Sequence, residues 1–231
     1  MQRGLLWLLA GLTVALVAGG CGGGGEIEPE TAPYLPLAIN NVWQYTYTDY
    51  TATLGVSTAR VRRLGARPRG LFLRPASVGT AQTTAQDTVW INGTESIGGQ
   101  DWFVAISQYV GSVTQETTYV RHNAQGLMRR FDASDPGYYL LRPPLTTGNT
   151  WGDPFDARYQ TTITGTDQTI SVPDGVFNGC VVVDEVRTEA GQPVDTVTSW
   201  YAYGVGMVKQ EHHVGNDLTE TLELIGHALV D

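Results

Sequence analysis

The sequence predicts an all-β fold, in which an antiparallel meander forms a strongly curved sheet or half-open barrel with little helix. Three observations support this prediction. Threonine, valine and tyrosine are abundant, whereas charged residues make up only 16% of the chain. Runs of β-branched and aromatic residues recur along the chain, each bounded by glycine, proline, asparagine or aspartate. No helical period follows the apolar N-terminus, and sequential short strands joined by tight turns form meanders.

The first predicted strand, over 42–54, shows the strand pattern clearly. Trp43, Tyr45 and Tyr47 fall on one face and polar residues on the other, because side chains alternate along a strand. Asn92-Gly93 predicts the tight turn of a hairpin at the end of the next strand. The later strands are predicted over 87–92, 101–110, 114–122, 127–133, 157–165, 168–172, 180–189, 194–202, 207–214 and 218–229.

The N-terminus predicts where the chain is sent. Arg3 precedes an apolar run from Leu5 to Ala18, which is the layout of a secretory signal peptide over 1–20. The run is shorter than the ~20 apolar residues of a membrane-spanning helix. Ala18-Gly19-Gly20-Cys21 resembles a bacterial lipoprotein processing site, although Leu is usual where Ala18 stands. We therefore expect Cys21 to carry lipid and to begin the mature chain.

The rest of the chain divides into a tether and one domain. Residues 21–33 comprise the lipidated cysteine and a flexible segment rich in glycine, glutamate and proline. Residues 34–231 form a single β domain, large enough to bury a core without disulfides, with an inserted loop region near 60–86. Gly22 favours the outer membrane, because an aspartate at this position tends to retain Gram-negative lipoproteins at the inner membrane.

A short pattern occurs twice. Residues 36–43 and 144–151 both read P-L-x-x-[NG]-N-x-W. In each copy proline fixes the approach, Asn40 or Gly148 tolerates a left-handed turn, and tryptophan begins a strand. The repeat has two interpretations, duplication of a half-domain or two similar corners in one sheet, and the shortness of the match favours two corners.

Three stretches carry a resemblance to a family of uncharacterised bacterial lipoproteins and secreted β-domains. Residues 34–45 are similar to its opening Y-x-P-L-x-x-G-N-x-W-x-Y, with Asn40 where glycine is usual. Residues 172–180 are similar to V-P-x-G-x-F-x-x-C, and 200–209 to W-Y-A-x-G-V-G-x-V-K. The resemblance implies a curved antiparallel sheet like that of the periplasmic carriers that ferry lipoprotein acyl chains. It implies no catalytic residues.

Composition and motifs narrow the functional classes. The net charge of −9 argues against nucleic acid as a partner, since such proteins present basic surfaces. Cys180 has no intrachain partner if Cys21 carries lipid, and its run of valines predicts a buried strand residue. His212 and His213 would point to opposite faces of a strand, which disfavours a shared metal. No nucleophile, metal or phosphate-binding motif is recognisable, so no catalytic residue, metal ligand or cofactor is predicted.

Two groups of side chains are candidates for binding. An arginine-rich segment is either a solvated hairpin end or a docking patch for anionic lipid, polysaccharide or an acidic partner. Aromatic residues on the concave face of the sheet form either a packed core or the lining of a ligand cavity. The arginines are Arg60, Arg62, Arg63, Arg67, Arg69 and Arg74, and the aromatic candidates are Trp43, Tyr45, Tyr47 and Trp200.

Together these features predict a lipid-anchored domain of the bacterial cell envelope, on the outer membrane, without catalysis of its own. Its expected role is to bind a hydrophobic ligand or a partner, which could be an envelope protein, a lipid or a polysaccharide. A carbohydrate-binding module is the alternative. A hydrolase that uses two facing carboxylates is the third hypothesis and is less favoured.

Overall fold

The described residues form one antiparallel sheet of 12 strands. The computed structural model describes residues 30–50, 83–153 and 155–230. A short 3-10 turn at Ala32–Tyr34 precedes the first strand. In chain order, β1 to β12 are Val42–Asp49, Thr83–Ile97, Gln100–Tyr109, Glu116–Asn123, Gly126–Arg130, Tyr138–Leu141, Thr150–Gly152, Tyr159–Val172, Gly175–Arg187, Asp195–Ala202, Gly206–Val214 and Asp217–Ala228. The predicted all-β meander is confirmed.

The sheet curls but does not close. Its strand order is β6-β5-β4-β3-β2-β1-β12-β11-β10-β9-β8-β7, so β1 and β12 pair in the middle while β6 and β7 are the edges. The edges meet through a side chain, because the Trp151 indole on β7 donates to the Tyr139 carbonyl on β6 at 3.1 Å. Leu140 of β6 also shares one small void with Val183 of β9. The architecture is therefore the predicted half-open barrel.

The two copies of the repeated pattern form two corners with the same local structure. Asn41 Nδ2 donates to the Pro36 carbonyl at 2.9 Å, and Asn149 Nδ2 donates to the Pro144 carbonyl at 2.9 Å. The residue before each asparagine has a positive φ, 75° at Asn40 and 90° at Gly148. The predicted left-handed turn is therefore present in both copies.

The equivalence extends beyond the corners. The carbonyls of Asn41 and Asn149 accept the amides of Ile91 and Ile163, at 3.0 and 2.9 Å. The ladder register shifts directly after each of these isoleucines. Each corner also opens six consecutive strands that run in the same order across the sheet. This arrangement favours duplication of a half-domain over two unrelated corners.

One predicted turn is wrong. Strand β2 continues through Asn92-Gly93 to Ile97, and Asn92 is the extra residue of a bulge between Ile91 and Gly93. The hairpin turn lies instead at Gly98-Gly99, where φ is 62° and 74°. Two consecutive residues with positive φ suit a type I′ hairpin, and glycine adopts positive φ without steric cost, so Gly98-Gly99 can form this turn as Asn92-Gly93 could.

Some strand boundaries also differ from the prediction. The segments 157–165 and 168–172 belong to one strand, β8, which passes through a bulge with Asp167 at φ 61°. Residues 83–86 of the expected insertion belong to β2, where they pair with β1. The rest of the region near 60–86 lies mostly outside the described residues.

Candidate functional site

Large side chains fill the concave interior around β1. Trp43 and Tyr45 are almost fully buried, and both are held by backbone carbonyls. The Trp43 indole donates to the Val205 carbonyl at 2.6 Å, and the Tyr45 hydroxyl donates to the Met207 carbonyl at 2.8 Å. Within the described residues these rings are packed as core, and they do not line an open cavity.

Of the other two aromatic candidates, Tyr47 lies on the same face of β1 and in the same buried core as this pair, whereas Trp200 is only partly buried. Tyr47 is 5% exposed and packs edge-to-face against Tyr109, with ring centroids 6.2 Å apart. Trp200 faces away from the interior, because its neighbours Ser199 and Tyr201 are the buried residues of β10. The ammonium of Lys209 lies 5.6 Å from the Trp200 ring centroid. The structure therefore brings Trp43, Tyr45 and Tyr47 together in one packed core, with Trp200 at its margin.

An open cleft of about 490 Å³ lies at the end of the barrel where the N-terminal segment joins the sheet. Pro36, Leu37 and Ala38 form one wall, just before β1. Phe103 on β3 and Tyr203, in the turn between β10 and β11, contribute aromatic rings. The volume falls within the range of about 300–1,000 Å³ that is usual for small-molecule sites. This cleft is the candidate functional site.

The N-terminal wall of the cleft is held in place by hydrogen bonds. His122 Nε2 donates to the Leu35 carbonyl at 2.9 Å, so Nδ1 accepts the hydroxyl of the fully buried Thr31 at 3.1 Å. The amide of Gly204 donates to the Pro33 carbonyl at 2.6 Å. The segment from residue 31 onward is therefore fixed on the barrel, and the cleft does not depend on a loose chain end.

The polar side of the cleft carries both signs of charge. Asp101, His122 and Arg121 line it, and Asp101 is exposed to solvent. The Arg121 side chain makes no ion pair and no hydrogen bond with any described residue. The cleft therefore combines apolar walls with one free guanidinium, which suits a ligand that has an apolar part and an anionic group.

Arg121 also belongs to a cluster on the outer face of the sheet, which we call the arginine–tryptophan cluster: Trp102, Arg121 and Arg130. The guanidinium carbons of Arg121 and Arg130 lie 5.4 and 4.4 Å from the Trp102 ring centroid. These are cation–π distances. Trp102 is fully buried although it faces outward, because long arginine side chains can cover an apolar ring.

Several donors of the arginine–tryptophan cluster lack acceptors. Trp102 Nε1, Arg121 Nε and Nη1, and Arg130 Nε are buried without a hydrogen-bond partner. The nearby carboxylate of Glu95, opposite Trp102 in the ladder, accepts a hydrogen bond from Tyr119. Burial, followed by this hydrogen bond, raises the pKa of Tyr119. No described carboxylate forms an ion pair with either arginine of the cluster.

The barrel interior contains one strongly perturbed carboxyl group. Asp87 is fully buried on β2, and both of its oxygens lie 2.9 Å from the Ser107 hydroxyl, which donates to them. Burial, with a smaller contribution from Glu116, raises the Asp87 pKa to about 7 against hydrogen bonds that lower it. Asp87 does not line the cleft, so we assign it to stability.

The histidines near the C-terminus pair with carboxylates. Buried His212 bonds to Asp195 through Nε2, and its Nδ1 lies 2.9 Å from the Thr219 hydroxyl. His213 lies 3.4 Å from Glu211, and His227 lies 2.6 Å from Asp174. No set of three metal-ligating side chains converges among the residues that the structure describes. Cys180 is buried on β9 as predicted, and burial raises its pKa.

Two predicted sites fall outside the described residues: Cys21 and the arginine segment, whose members are Arg60, Arg62, Arg63, Arg67, Arg69 and Arg74. In the described part of the chain no helix has the length and apolar character needed to cross a membrane.

Arg121, Arg130 and Trp102 were not among the site residues that the sequence predicts. A signal was available, because in a meander Arg121 and Arg130 fall on the outward face of neighbouring strands. What could not be deduced was that both side chains reach the same ring. That requires the register of three strands, which depends on the turn at Gly98-Gly99.

Comparison with known proteins adds little. No known protein family and no curated protein matches the sequence. A crystal structure from Bacteroides fragilis, described as an exported protein with a YmcC-like fold, is 11% identical with a TM-score of 0.48. A second, described as a lipoprotein from Parabacteroides distasonis, is 13% identical with a TM-score of 0.40. Each alignment covers 84% of this chain and 98% of the other. Both TM-scores are low, so nothing about this chain is inferred from these likenesses.

Proposed function

We propose that the chain is a lipoprotein of the bacterial cell envelope, anchored through Cys21, whose β domain binds an amphiphilic ligand in the cleft without catalysing a reaction. The signal-like N-terminus and the lipoprotein-like site at 18–21 support the anchor. The resemblance of three sequence stretches to uncharacterised bacterial lipoproteins supports the same assignment. Gly22 favours the outer membrane as the place of attachment.

The observation that carries the binding role is the cleft itself. It combines an apolar wall at Pro36 and Leu37, the ring of Phe103 and the unpaired guanidinium of Arg121. Burial of an apolar chain against these side chains would contribute roughly 25 cal/mol per Å² of apolar surface removed from water. One charged group at the rim would orient the ligand, as is usual in such sites.

The position of the cleft suits a ligand that comes from the membrane. The described chain begins at Glu30, next to the cleft-lining residues Ala32 and Pro33. The stretch from Cys21 to Glu30 spans at most about 30 Å when fully extended. An anchor at Cys21 would therefore keep the cleft close to the bilayer surface, where amphiphiles are concentrated.

Filling the cleft tests this proposal. Ala38→Trp places a large ring in the wall of the cleft, whereas Ala190→Trp adds the same ring at the exposed turn between β9 and β10, at the opposite end of the barrel. The full-length lipidated chain in maltoside micelles is incubated with phospholipid. It is then released from the micelles in the mass spectrometer, and the bound lipid is counted by native mass spectrometry. We expect the wild type and Ala190→Trp to retain one phospholipid and Ala38→Trp to lose it. Equal retention by all three would contradict the proposal.

Carbohydrate binding is the second candidate, and one observation favours it. Tyr203 is 67% exposed at the rim of the cleft, and its ring is held edge-to-face by Tyr34 at 5.7 Å. A fixed exposed ring can stack on a sugar. Glycan-array binding that Tyr203→Ala abolishes and Ala38→Trp leaves intact would favour this candidate over the amphiphile.

A carboxylate-based hydrolase has less support. Such enzymes place two carboxyl groups about 5–9.5 Å apart across the substrate. Asp101 is the one carboxylate among the described residues that line the cleft. We therefore propose binding without hydrolysis.

A further inference from the structure

The arginine–tryptophan cluster lacks the acceptors that its donors require. Three groups, the Trp102 indole and the two guanidiniums, together contain four buried nitrogens without a hydrogen-bond partner. Each unsatisfied buried donor costs about 1–3 kcal/mol, and native proteins contain few of them. Four such donors at a single ring therefore point to an acceptor that binds from outside the chain.

The charge of the cluster indicates which kind of acceptor would fit. Arg121 and Arg130 hold two positive charges against the same ring, and neither forms an ion pair with a described carboxylate. A carboxylate has two oxygens in one plane, which saturate a single guanidinium fork. A phosphate group has oxygens in several directions, so it can accept from two guanidiniums together.

The cluster is also built to keep its arginines in place. A Cβ added at Gly137 would lie 2.9 Å from Arg130 Cγ, so the Arg130 side chain occupies the space that this glycine leaves free. Gly137 has φ 81°, which suits glycine. Arg130 is therefore directed toward Trp102 by close packing along its stem, as a binding residue must be.

Arg121 joins the cluster to the cleft, because the same side chain lines both. We propose that Arg121 and Arg130, stacked on Trp102, bind the phosphate of a phospholipid head group while the apolar part of the lipid lies in the cleft. This inference rests on the proposed function and specifies its ligand. Glu95 and Asp101 are the neighbouring carboxylates, and they would disfavour a ligand with a more extended negative charge.

The test compares two lipids with identical acyl chains. Full-length lipidated chain in maltoside micelles is offered equal amounts of phosphatidylglycerol and phosphatidylcholine, and the bound lipid is counted by native mass spectrometry. We expect the wild type to prefer phosphatidylglycerol by roughly tenfold, because the choline cation offsets the phosphate charge. Arg121→Gln and Arg130→Gln should each remove most of that preference.

The control is Arg142→Gln. Arg142 is also half-buried and stacks on an aromatic ring, with its guanidinium carbon 5.0 Å from the Tyr139 centroid, but it does not line the cleft. This variant should keep the wild-type preference. Unchanged preference in both Arg121→Gln and Arg130→Gln would overturn the cluster as the phosphate site while the cleft remains a lipid site. Failure of the wild type to bind either lipid would overturn the proposed function itself.

A second measurement follows the indole directly. The Trp102 Nε1–H signal in a ¹⁵N–¹H spectrum is identified by its loss in Trp102→Phe. It should shift when short-chain phosphatidylglycerol is added, because a phosphate bound to Arg121 and Arg130 changes the charge next to the ring on which they stack. Inorganic phosphate, the other source of the same group, should give a smaller shift at equal concentration because it has no chain in the cleft. An equal or larger shift with inorganic phosphate would overturn the lipid as the ligand, and no shift with either would overturn the site.

Discussion

Asp87 shows how one buried side chain links the fold to pH. Its pKa of about 7, raised chiefly by burial, lies above the ordinary value of 3.8, so the fold binds its proton more tightly than the unfolded chain does. The contribution of Asp87 to stability is therefore greatest below pH 4 and decreases as pH rises toward 7. Above pH 7 it stays constant, because the group is ionised in both states.

Replacement of Asp87 by asparagine tests whether Asp87 makes the stability of the fold depend on pH. Asparagine resembles the protonated carboxyl group in size but does not titrate. We expect Asp87→Asn to gain stability relative to the wild type as pH rises from 5 to 8, by about 2–3 kcal/mol. Urea unfolding at several pH values measures the difference, and parallel pH profiles for the two proteins would contradict the prediction. Ser107→Ala serves as the comparison, because it removes the side-chain hydrogen bonds that Asp87 accepts from Ser107 but keeps the Asp87 charge.

Residue-level prediction from the sequence was good where hydrophobicity alternates and poor where it does not. Alternation in β1 placed Trp43 and Tyr45 on the buried face, as the structure has them. Trp102 lies on the opposite face of its sheet and is buried nonetheless. The side chains of Arg121 and Arg130, from β4 and β5, lie over its ring. The sequence around residue 102 alone cannot predict this burial, because both arginines belong to other strands.

At the level of structural elements, the corner before β1 links three segments of the chain. Asn41 Nδ2 donates to the Pro36 carbonyl, and Asn41 Oδ1 accepts the amide of Val230 at 2.7 Å. The Asn41 carbonyl accepts the amide of Ile91. Asn149 in the second corner bonds to the carbonyls of Pro144 and Arg142, and so secures the edge of the sheet.

The two asparagines should therefore differ in their effects. Asn41→Ala removes two hydrogen bonds, to the Pro36 carbonyl and from the Val230 amide, at the centre of the sheet, and we expect it to lower the free energy of unfolding by about 2–3 kcal/mol. Asn149→Ala acts at the β6–β7 edge and should cost about 1 kcal/mol. Hydrogen exchange should show lost protection at the end of β12 in the first variant and in β7 in the second. Equal costs, or the same exchange pattern in both, would contradict this difference.

The elements that the sequence did not predict are short edge strands. β6 and β7 contain four and three residues, Tyr138–Leu141 and Thr150–Gly152, too few to show alternation. They form strands because their backbones hydrogen-bond to the neighbouring strands, β6 to β5 and β7 to β8. The repeated corner was visible in the sequence, but that it opens two equivalent halves became clear only from the strand order.

At the scale of the whole molecule, the central pairing of β1 with β12 joins the two halves into one sheet. Eight residues of β1 pair along β12, from Val42 with Ala228 to Asp49 with Glu220. The N-terminal segment and the end of β12 consequently lie at the same end of the barrel, next to the cleft. A membrane anchor attached before residue 30 would hold this end toward the bilayer, which is the orientation that the proposed phospholipid site requires.

This orientation depends on lipid at Cys21, and the second cysteine of the chain provides a control for testing it. Its two cysteines are Cys21 and Cys180, and Cys180 is fully buried in β9. We expect Cys21→Ser to abolish incorporation of a fatty-acid probe and to move the protein from the membrane fraction to the soluble fraction. Cys180→Ser should keep both the label and the membrane location, since a buried thiol is not accessible to acylation. Equal labelling of Cys21→Ser and wild type would contradict the anchor, and the cleft would then lose its fixed position near the bilayer.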